Sequence, residues 1–208
     1  MIKGFHKKSC PVRPSYLIPL SLLDLVFEDK SRQELFFLKE ARPSACVLTI
    51  SDSILKSSIA LFMAEVLQKS IREEEANPVL FSFTENSILL LAATPSGLGL
   101  FPVWFMIRLS EFLGFFPLNN YSPSNVYFDP NAGCFSGFRQ DSPFNLSDKE
   151  SELFSALISH FGHSVYQPHI SPVANLRWID ILLHYYQIHL PGFGEIKSHR
   201  ILSEVLHS

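Results

Sequence analysis

The chain contains little cysteine. Three residues, Cys10, Cys46 and Cys134, are spread over its 208 positions. Their odd number and wide separation exclude a disulfide framework of the kind that stabilises small secreted proteins. Because free thiols persist in a reducing compartment, the cysteine content favours a cytoplasmic protein.

Charge is also sparse. Only 18% of the residues are Asp, Glu, Lys or Arg, and the formal net charge is −3. A protein that coats nucleic acid over its whole surface is strongly basic, so this composition excludes that class and confines any nucleic-acid contact to a local patch. With 47% hydrophobic residues, among them 19 Phe, the chain has ample material for the packed core of one or two small domains.

The sequence lacks both a cleavable leader and an uninterrupted membrane span. Basic residues precede the apolar run 16–27, as in a signal peptide, but Pro19 and Asp24 interrupt the run and no small-residue cleavage site follows. The uncharged stretch 88–107 has the length of a bilayer span, yet prolines and glycines at positions 95–102 break its middle. We therefore expect neither a targeting signal nor a transmembrane helix.

Motifs of the common catalytic classes are missing as well. The sequence has no Gly-rich phosphate loop, no nucleophile elbow and no His-Glu-x-x-His zinc-protease motif. Cys46 or Cys134 can be combined on paper with a histidine and an aspartate into a hydrolase triad, but almost any chain of this length permits that. We therefore expect no catalytic residue and no cofactor.

What the chain does contain is a change of hydrophobic period near position 50. Before this position the hydrophobic pattern is typical of β-strands: residues 16–27 are predicted to form one strand and residues 34–40 the strand that returns beside it. After it, apolar residues recur at helical spacing. The sequence therefore predicts an α+β protein with a small β-sheet in residues 1–50 and an all-α helical domain in residues 51–208.

The helical region divides into six predicted helices, most of them delimited by capping or helix-breaking residues. They are 55–71 after Ser51-Asp52-Ser53, 79–93 after Pro78, 101–113, one from the capping box Ser147–Glu150 through Phe161, one that Ser171-Pro172 opens and Pro191-Gly192 ends, and 197–206. The helix at 101–113 is apolar on nearly all sides. That distribution predicts that it lies at the centre of the fold.

The segment from Trp104 to Phe138 has a distinctive order of elements. Gly114 can close the preceding helix in the left-handed conformation, and Pro117 prevents the helix from resuming. A polar loop then leads to short strands at 127–128 and 134–135, joined by an Asp-Pro-Asn-Ala-Gly turn. This order resembles the middle of the RecO family of bacterial recombination mediators, in which a zinc-ribbon-like hairpin extends from the helical domain.

The resemblance extends over nearly the whole chain. Residues 3–9 and 17–22 look like the basic connection and the next strand of the family's OB-fold domain, and residues 185–202 look like its closing helices. The resemblance implies that the N-terminal region is a partial OB-fold domain. The helical region would be the RecO C-terminal domain, with the hairpin inserted at about 126–138.

Two features depart from the family pattern. Relatives begin with two further strands, so either the gene start is assigned late, the protein is truncated, or a smaller sheet replaces the barrel. Many relatives also carry two Cys-x-x-Cys pairs around the hairpin, whereas Cys134 has no partner pair, and a structural zinc site needs about four ligands. We expect no metal. His160, His163 and His169 do not change this expectation, because a glycine and a proline break the helix that would fix their geometry.

The resemblance also implies a DNA-binding site. Cations on the rim of an OB barrel attract nucleic-acid backbones of any sequence through charge neutralisation. A solvated terminus is the alternative for this cluster, because charge runs usually form solvated faces. The candidate DNA-binding residues are Lys3, Lys7, Lys8 and Arg13.

A second implied site belongs to the helical domain. By resemblance, it binds the acidic, Phe-ended tail of single-stranded-DNA-binding protein, which requires an apolar slot beside cations. The candidates for this site are Arg108, Arg177, Lys197 and Arg200. Where relatives have Arg directly after the Lys-Ser of the last helix, this chain has His199.

The function implied by the resemblance is that of a non-enzymatic mediator of DNA repair and homologous recombination. Such a protein binds single- and double-stranded DNA and, with RecR and in some members RecF, helps RecA loading and strand annealing. The alternative is a helical scaffold that binds proteins but not DNA, which the acidic net charge and the missing strands favour. Salt-dependent DNA affinity separates the two.

Overall fold

The computed structural model describes residues 13, 16, 18–28, 37–44, 48–72, 75–139, 144, 146–160 and 172–207. In chain order the elements are β1 (Leu23–Glu28), β2 (Phe37–Pro43), α1 (Leu48–Ser51), α2 (Ile54–Ser70), α3 (Pro78–Ala93), a 3-10 turn (Leu98–Leu100), α4 (Phe101–Phe112), β3 (Tyr127–Asp129), β4 (Cys134–Ser136), α5 (Asp148–His160), α6 (Pro172–His189) and α7 (Ser198–His207). The predicted α+β class, a small antiparallel sheet followed by helices with an inserted hairpin, is confirmed.

The first sheet is shorter at its start than the sequence predicts. β1 and β2 pair antiparallel, with Leu23 opposite Pro43. The predicted strand start at position 16 is wrong, because Pro19 cannot donate to a ladder and Leu20 takes a left-handed φ of 61°. The chain therefore turns before β1 begins. β2 in turn continues beyond its predicted end at position 40.

α4 lies at the centre of the helical core, as its composition predicts. Phe101, Phe105 and Ile107 are fully buried. The hydroxyl of Tyr186 on α6 donates to the Met106 carbonyl at 2.6 Å. Burial raises the pKa of Tyr186 well above its ordinary value, so the hydroxyl keeps its proton for this bond. Although α4 is strongly apolar, none of the described helices combines the length and hydrophobicity needed to cross a bilayer.

The helix boundaries follow from local capping chemistry. The side chain of Ser53 accepts the N–H of Lys56 at the start of α2, and the side chain of Asn77 accepts the N–H of Leu80 at the start of α3. A capping box opens α5. There the Glu150 carboxylate accepts the N–H of Ser147 at 2.7 Å, while the Ser147 hydroxyl accepts the N–H of Glu150. These starts agree with the sequence prediction.

α4 ends in a Schellman motif, which reverses the chain toward the hairpin. The N–H of Phe115 donates to the Ser110 carbonyl at 3.0 Å, and that of Gly114 donates to the Glu111 carbonyl at 3.2 Å. Gly114 has a φ of 83°. The helix end that the sequence predicts at this glycine is therefore confirmed.

The β3–β4 hairpin packs on α5 and α6 through aromatic rings. Phe128 lies opposite Phe135 in the register, and both are nearly fully buried. Their rings contact that of Phe154 on α5, which stacks on Trp178 of α6 at 5.4 Å between centroids. The hairpin is thus a rigid extension of the helical core.

Replacing Gly133 with Ala should destabilise the protein by about 2 kcal/mol. Gly133 has a φ of 65°, which costs a residue with a Cβ about 1 kcal/mol or more. A Cβ there would also lie 2.9 Å from the Tyr185 hydroxyl, which donates to the Phe115 carbonyl at 2.6 Å. Displacing this hydroxyl adds roughly another 1 kcal/mol. Urea denaturation measures the change.

Gly114 provides the matched control for this substitution. Its φ of 83° is equally left-handed, but no atom lies within 4 Å of the Cβ position. Gly114→Ala should therefore cost only the backbone strain, about 1 kcal/mol. Equal losses in the two variants would show that the contact with Tyr185 contributes nothing.

Candidate functional site

A small apolar cleft lies where the C-terminal end of α2 meets α3, the end of α4 and the end of α6. Its volume is about 230 Å³, and it is lined by Ser70, Ile71, Arg72, Leu80, Leu113, Leu190 and Pro191. Five of these residues are Leu, Ile or Pro, whose side chains have no polar group, and one is an exposed cation, Arg72. A cleft of this composition suits an apolar side chain that stands next to a negative charge.

Arg72 reaches the cleft because α2 stops just before it. The chain leaves the helix at Ile71, whose backbone is extended and whose N–H still donates to the Leu67 carbonyl at 2.9 Å. The guanidinium then lies against the loop after α6, and a Cβ at Gly192 would stand 2.8 Å from its Nη2. Within the part of the chain that the structure describes, Arg72 forms no ion pair.

Three more cations contact or lie in the loop between α6 and α7, whose Gly192 lies beside Arg72. The ammonium of Lys69 donates to the Glu195 carbonyl and stands 3.6 Å from a carboxylate oxygen of Glu65. Arg200 pairs with the Glu195 carboxylate at 2.9 Å, and Lys197 is exposed. We call Lys69, Lys197 and Arg200 the loop cations. Together with Arg72 they outnumber the two carboxylates that they contact, Glu65 and Glu195.

Glu65 on α2 holds the start of α7 and contacts two of the loop cations, Lys69 and Lys197. Its carboxylate accepts the N–H of Lys197 at 2.9 Å and both the N–H and the hydroxyl of Ser198, at 2.7 and 2.6 Å. These bonds satisfy the free donors at the start of α7. Burial raises the pKa of Glu65, but the bonds from Ser198 and Lys197 and the Lys69 charge outweigh it, so the pKa is lowered.

The four cations predicted to bind the acidic tail lie in three places. Lys197 and Arg200 are together at the start of α7. Arg108 on α4 pairs with Glu111 at 2.6 Å, and Arg177 on α6 pairs with Glu150 of α5 at 2.6 Å. None of the four is among the residues that line the cleft.

Sequence reasoning missed Lys69 and Arg72. The end of the second helix looks like a solvated charge run in the sequence, and Arg72 is indeed exposed. The signal that could have found them is the i,i+3 spacing of two cations around Ile71 at a helix end. Their partners at positions 190–195 are distant in sequence, so only the fold shows the cleft.

His199 lies between an aspartate and a serine, but the geometry differs from that of a hydrolase triad. Its Nε2 is 3.3 Å from Asp180 and 3.4 Å from the Ser203 hydroxyl, so both partners contact the same ring nitrogen. A triad needs them on opposite nitrogens. The Ser203 hydroxyl also donates to the carbonyl of His199 at 2.8 Å. The arrangement joins α6 to α7.

The other sequence-based candidates are only partly covered by the structure. Lys3, Lys7 and Lys8 lie outside the described residues, whereas Arg13 is exposed and its carbonyl accepts the N–H of Tyr16 at 2.9 Å. Cys134 is a half-buried free thiol on β4. Among the described residues, no three His, Cys, Asp or Glu side chains lie close enough to bind a metal.

Residues 51–199 match the family model described as Recombination protein O C terminal. The chain belongs to the RecO family. This match spans the cleft, the hairpin and the start of α7. It accounts for the order of helices and hairpin in the structure.

Curated relatives cover almost the whole chain. The DNA repair protein RecO of Azobacteroides pseudotrichonymphae genomovar. CFP2 is 30% identical over 201 residues, which are 97% of this chain and 83% of that protein. The protein of the same name from Bacteroides fragilis is 31% identical over 203 residues, or 96% and 83% of the two chains. That of Phocaeicola vulgatus is 30% identical over 187 residues, or 90% and 78%. No solved structure matches this chain.

Proposed function

We propose that this RecO-family chain acts in DNA repair as a non-enzymatic mediator of homologous recombination. The observation that carries the proposal is the family match over residues 51–199, together with relatives named DNA repair protein RecO that align with 97% of the chain. The work of such a protein is binding: it holds single- and double-stranded DNA and, with RecR and in some members RecF, helps RecA loading and strand annealing.

The cleft with its cations is the proposed site for the tail of single-stranded-DNA-binding protein. An acidic tail that ends in Phe would place its ring in the cleft and its terminal carboxylate on Arg72, whose planar guanidinium suits a carboxylate. The loop cations would face the acidic residues upstream of the ring. Lys197 and Arg200 remain in the proposed site, and Lys69 and Arg72 join them. Arg108 and Arg177 are left out because of their positions: Arg108 pairs with Glu111 at the end of α4 and Arg177 pairs with Glu150 of α5, whereas Lys69 and Arg200 contact Glu65 and Glu195 beside the start of α7.

Charge reversal at the cleft should abolish most of this binding. Arg72→Glu should weaken the affinity for a fluorescein-labelled acidic peptide ending in Phe by about 10- to 100-fold, because it replaces an attraction to the carboxylate with a repulsion. The melting temperature should not change, since Arg72 is exposed and has no ion pair within the described residues. Fluorescence anisotropy measures the affinity.

Arg139→Glu is the control for Arg72→Glu. Arg139 is also exposed and also lacks an ion pair within the described residues, but it lies after β4, away from the cleft. Because both substitutions replace Arg with Glu, the two variants change the net charge equally. If both variants lost the same affinity for the peptide, the tail would be attracted by the net charge of the protein and not by the cleft.

The proposed DNA site is the N-terminal cation cluster. Changing Lys3, Lys7, Lys8 and Arg13 together to Ala should weaken oligonucleotide binding with little effect on thermal stability, because exposed charges contribute little to folding. For single-stranded DNA the slope of log affinity against log salt should flatten by up to about 3, the contribution of four phosphate contacts. A quadruple variant that binds the oligonucleotide as the parent does would contradict this site.

A further inference from the structure

Phe138 has the most exposed large apolar side chain of the described residues, at 85%. It stands directly after β4, and its carbonyl accepts the Ser136 hydroxyl at 2.8 Å. The preceding Gly137 packs against the turn before β3, where a Cβ would lie 2.6 Å from the Ser124 carbonyl oxygen. The backbone that carries the ring is therefore held in place, while the ring itself stands in solvent.

The described turn that packs beside Gly137 is polar and uncharged. The turn beside Gly137 consists of serines, a proline and an asparagine at positions 122–125. An apolar groove for a partner helix or strand would need neighbouring hydrophobic side chains, and these are missing from the turn. A single ring with two open faces suits a flat aromatic ligand better.

The charge pattern favours an anionic ligand. Residues 113–139 contain two charged residues, Asp129 and Arg139. Asp129 is only 9% exposed, and its carboxylate accepts the N–H of Asn131 at 2.9 Å. Arg139 is exposed and has no ion pair in the described part of the chain. Within residues 113–139, the hairpin thus offers a cation next in sequence to an exposed aromatic ring, and its one carboxylate, Asp129, is nearly buried.

We propose that the hairpin is a contact site for single-stranded nucleic acid, in which Phe138 stacks on an unpaired base and Arg139 pairs with a neighbouring phosphate. Stacking on an aromatic side chain accepts any base, and a cation next to the ring attracts the backbone. This inference rests on the proposed DNA-binding function and adds to it a second site, distinct from the N-terminal cations. It assigns the hairpin the role of distinguishing single strands from duplex.

The test compares a single-stranded oligonucleotide containing 2-aminopurine with a duplex of the same sequence. Phe138→Ala should weaken single-strand binding by roughly 5- to 150-fold, the range expected for the loss of one base–aromatic stack, and should remove the quenching of 2-aminopurine on binding. Duplex affinity should stay the same, because paired bases present no free face. Arg139→Ala should weaken the binding of both the single strand and the duplex.

Three further variants make the result decisive. Phe81→Ala removes another exposed ring, on α3, and should bind both ligands as the parent does. Phe138→Trp should keep tight single-strand binding, whereas Phe138→Leu, which keeps an apolar side chain without a ring, should not. The inference would be overturned if Phe138→Ala bound single-stranded DNA as tightly as the parent, or if it lost as much affinity for the duplex as for the single strand. It would also be overturned if Phe138→Leu bound single-stranded DNA as tightly as the parent. A parent protein that binds neither ligand would instead refute the proposed function.

Discussion

Replacing Phe154 with Ala should lower the free energy of unfolding by about 3–5 kcal/mol, the usual cost of deleting a buried aromatic ring. Phe154 is 0% exposed. The centroid of its ring lies 4.7 Å from that of Phe128, 6.4 Å from that of Phe135 and 5.4 Å from that of Trp178. Because these rings belong to the hairpin and to α6, one cavity would loosen three elements. Chemical denaturation of parent and variant measures the change.

The matched control is Phe81→Ala, which removes a ring that is 63% exposed. It should change the unfolding free energy by less than about 0.5 kcal/mol. For a chain of this size, the loss at Phe154 corresponds to a fall in melting temperature of roughly 6–20 °C. A Phe154 variant as stable as the Phe81 variant would show that the ring cluster does not join the hairpin to the helices.

The second large effect is expected at Glu65. Glu65→Gln should cost about 2 kcal/mol, because hydrogen bonds to a charged acceptor are stronger than those to a neutral one. The carboxylate accepts three bonds from Lys197 and Ser198 at 2.6–2.9 Å. The amide keeps one acceptor oxygen and turns an NH2 group toward donors. The stability of the Glu65→Gln variant, measured by urea denaturation, should fall. Its affinity for the acidic tail peptide should fall as well, because the start of α7 would no longer be held in place.

The contribution of Glu65 should depend on pH. Folding lowers the pKa of this carboxyl, so the ionised form stabilises the native state at pH values above the unfolded-state pKa of about 4.3. That stabilisation is lost as the pH falls through the lowered pKa of the folded state. The stability difference between parent and Glu65→Gln should therefore be complete at neutral pH and shrink below about pH 4.

Glu111→Gln serves as the control for Glu65→Gln. Glu111 also accepts a cation, Arg108 at 2.6 Å, but its side chain is 48% exposed. Exposed pairs contribute about 0–1 kcal/mol, so this variant should lose little stability. If the two variants lost the same amount, or if the loss at Glu65 did not change with pH, the carboxylate would not be the clamp at the start of α7.

Most of the helical part of this fold could be predicted because its signals are local. Ser53, Asn77 and the Ser147–Glu150 box cap helices through bonds within one turn, and Gly114 ends α4 where the sequence predicts. The start of β1 could not be predicted in the same way. An apolar residue, Leu20, adopts a left-handed φ of 61°, and no local pattern indicates this.

The candidate site was harder to predict because it forms between distant segments. Ile71, Leu80, Leu113 and Pro191 come from four parts of the chain and meet only when the helices pack. In the sequence, Arg72 belongs to a run of charged residues that indicates only a solvated surface. The fold shows that its guanidinium lies beside Gly192. Arg108 and Arg177 fit the sequence criterion, a cation near apolar residues, as well as Lys197 and Arg200 do. Only the fold separates them, because it places Arg108 on α4 and Arg177 on α6, whereas Lys197 and Arg200 lie at the start of α7.

The most direct test of the proposed repair function is the affinity of the protein for a labelled single-stranded oligonucleotide, measured by fluorescence anisotropy over a series of salt concentrations. A RecO-type mediator should bind, and log affinity should fall linearly with log salt with a slope of about −3 if four cations contact phosphates. A protein that binds the acidic tail peptide but shows no oligonucleotide binding at any salt concentration would be a protein-binding scaffold, and the proposed function would be wrong.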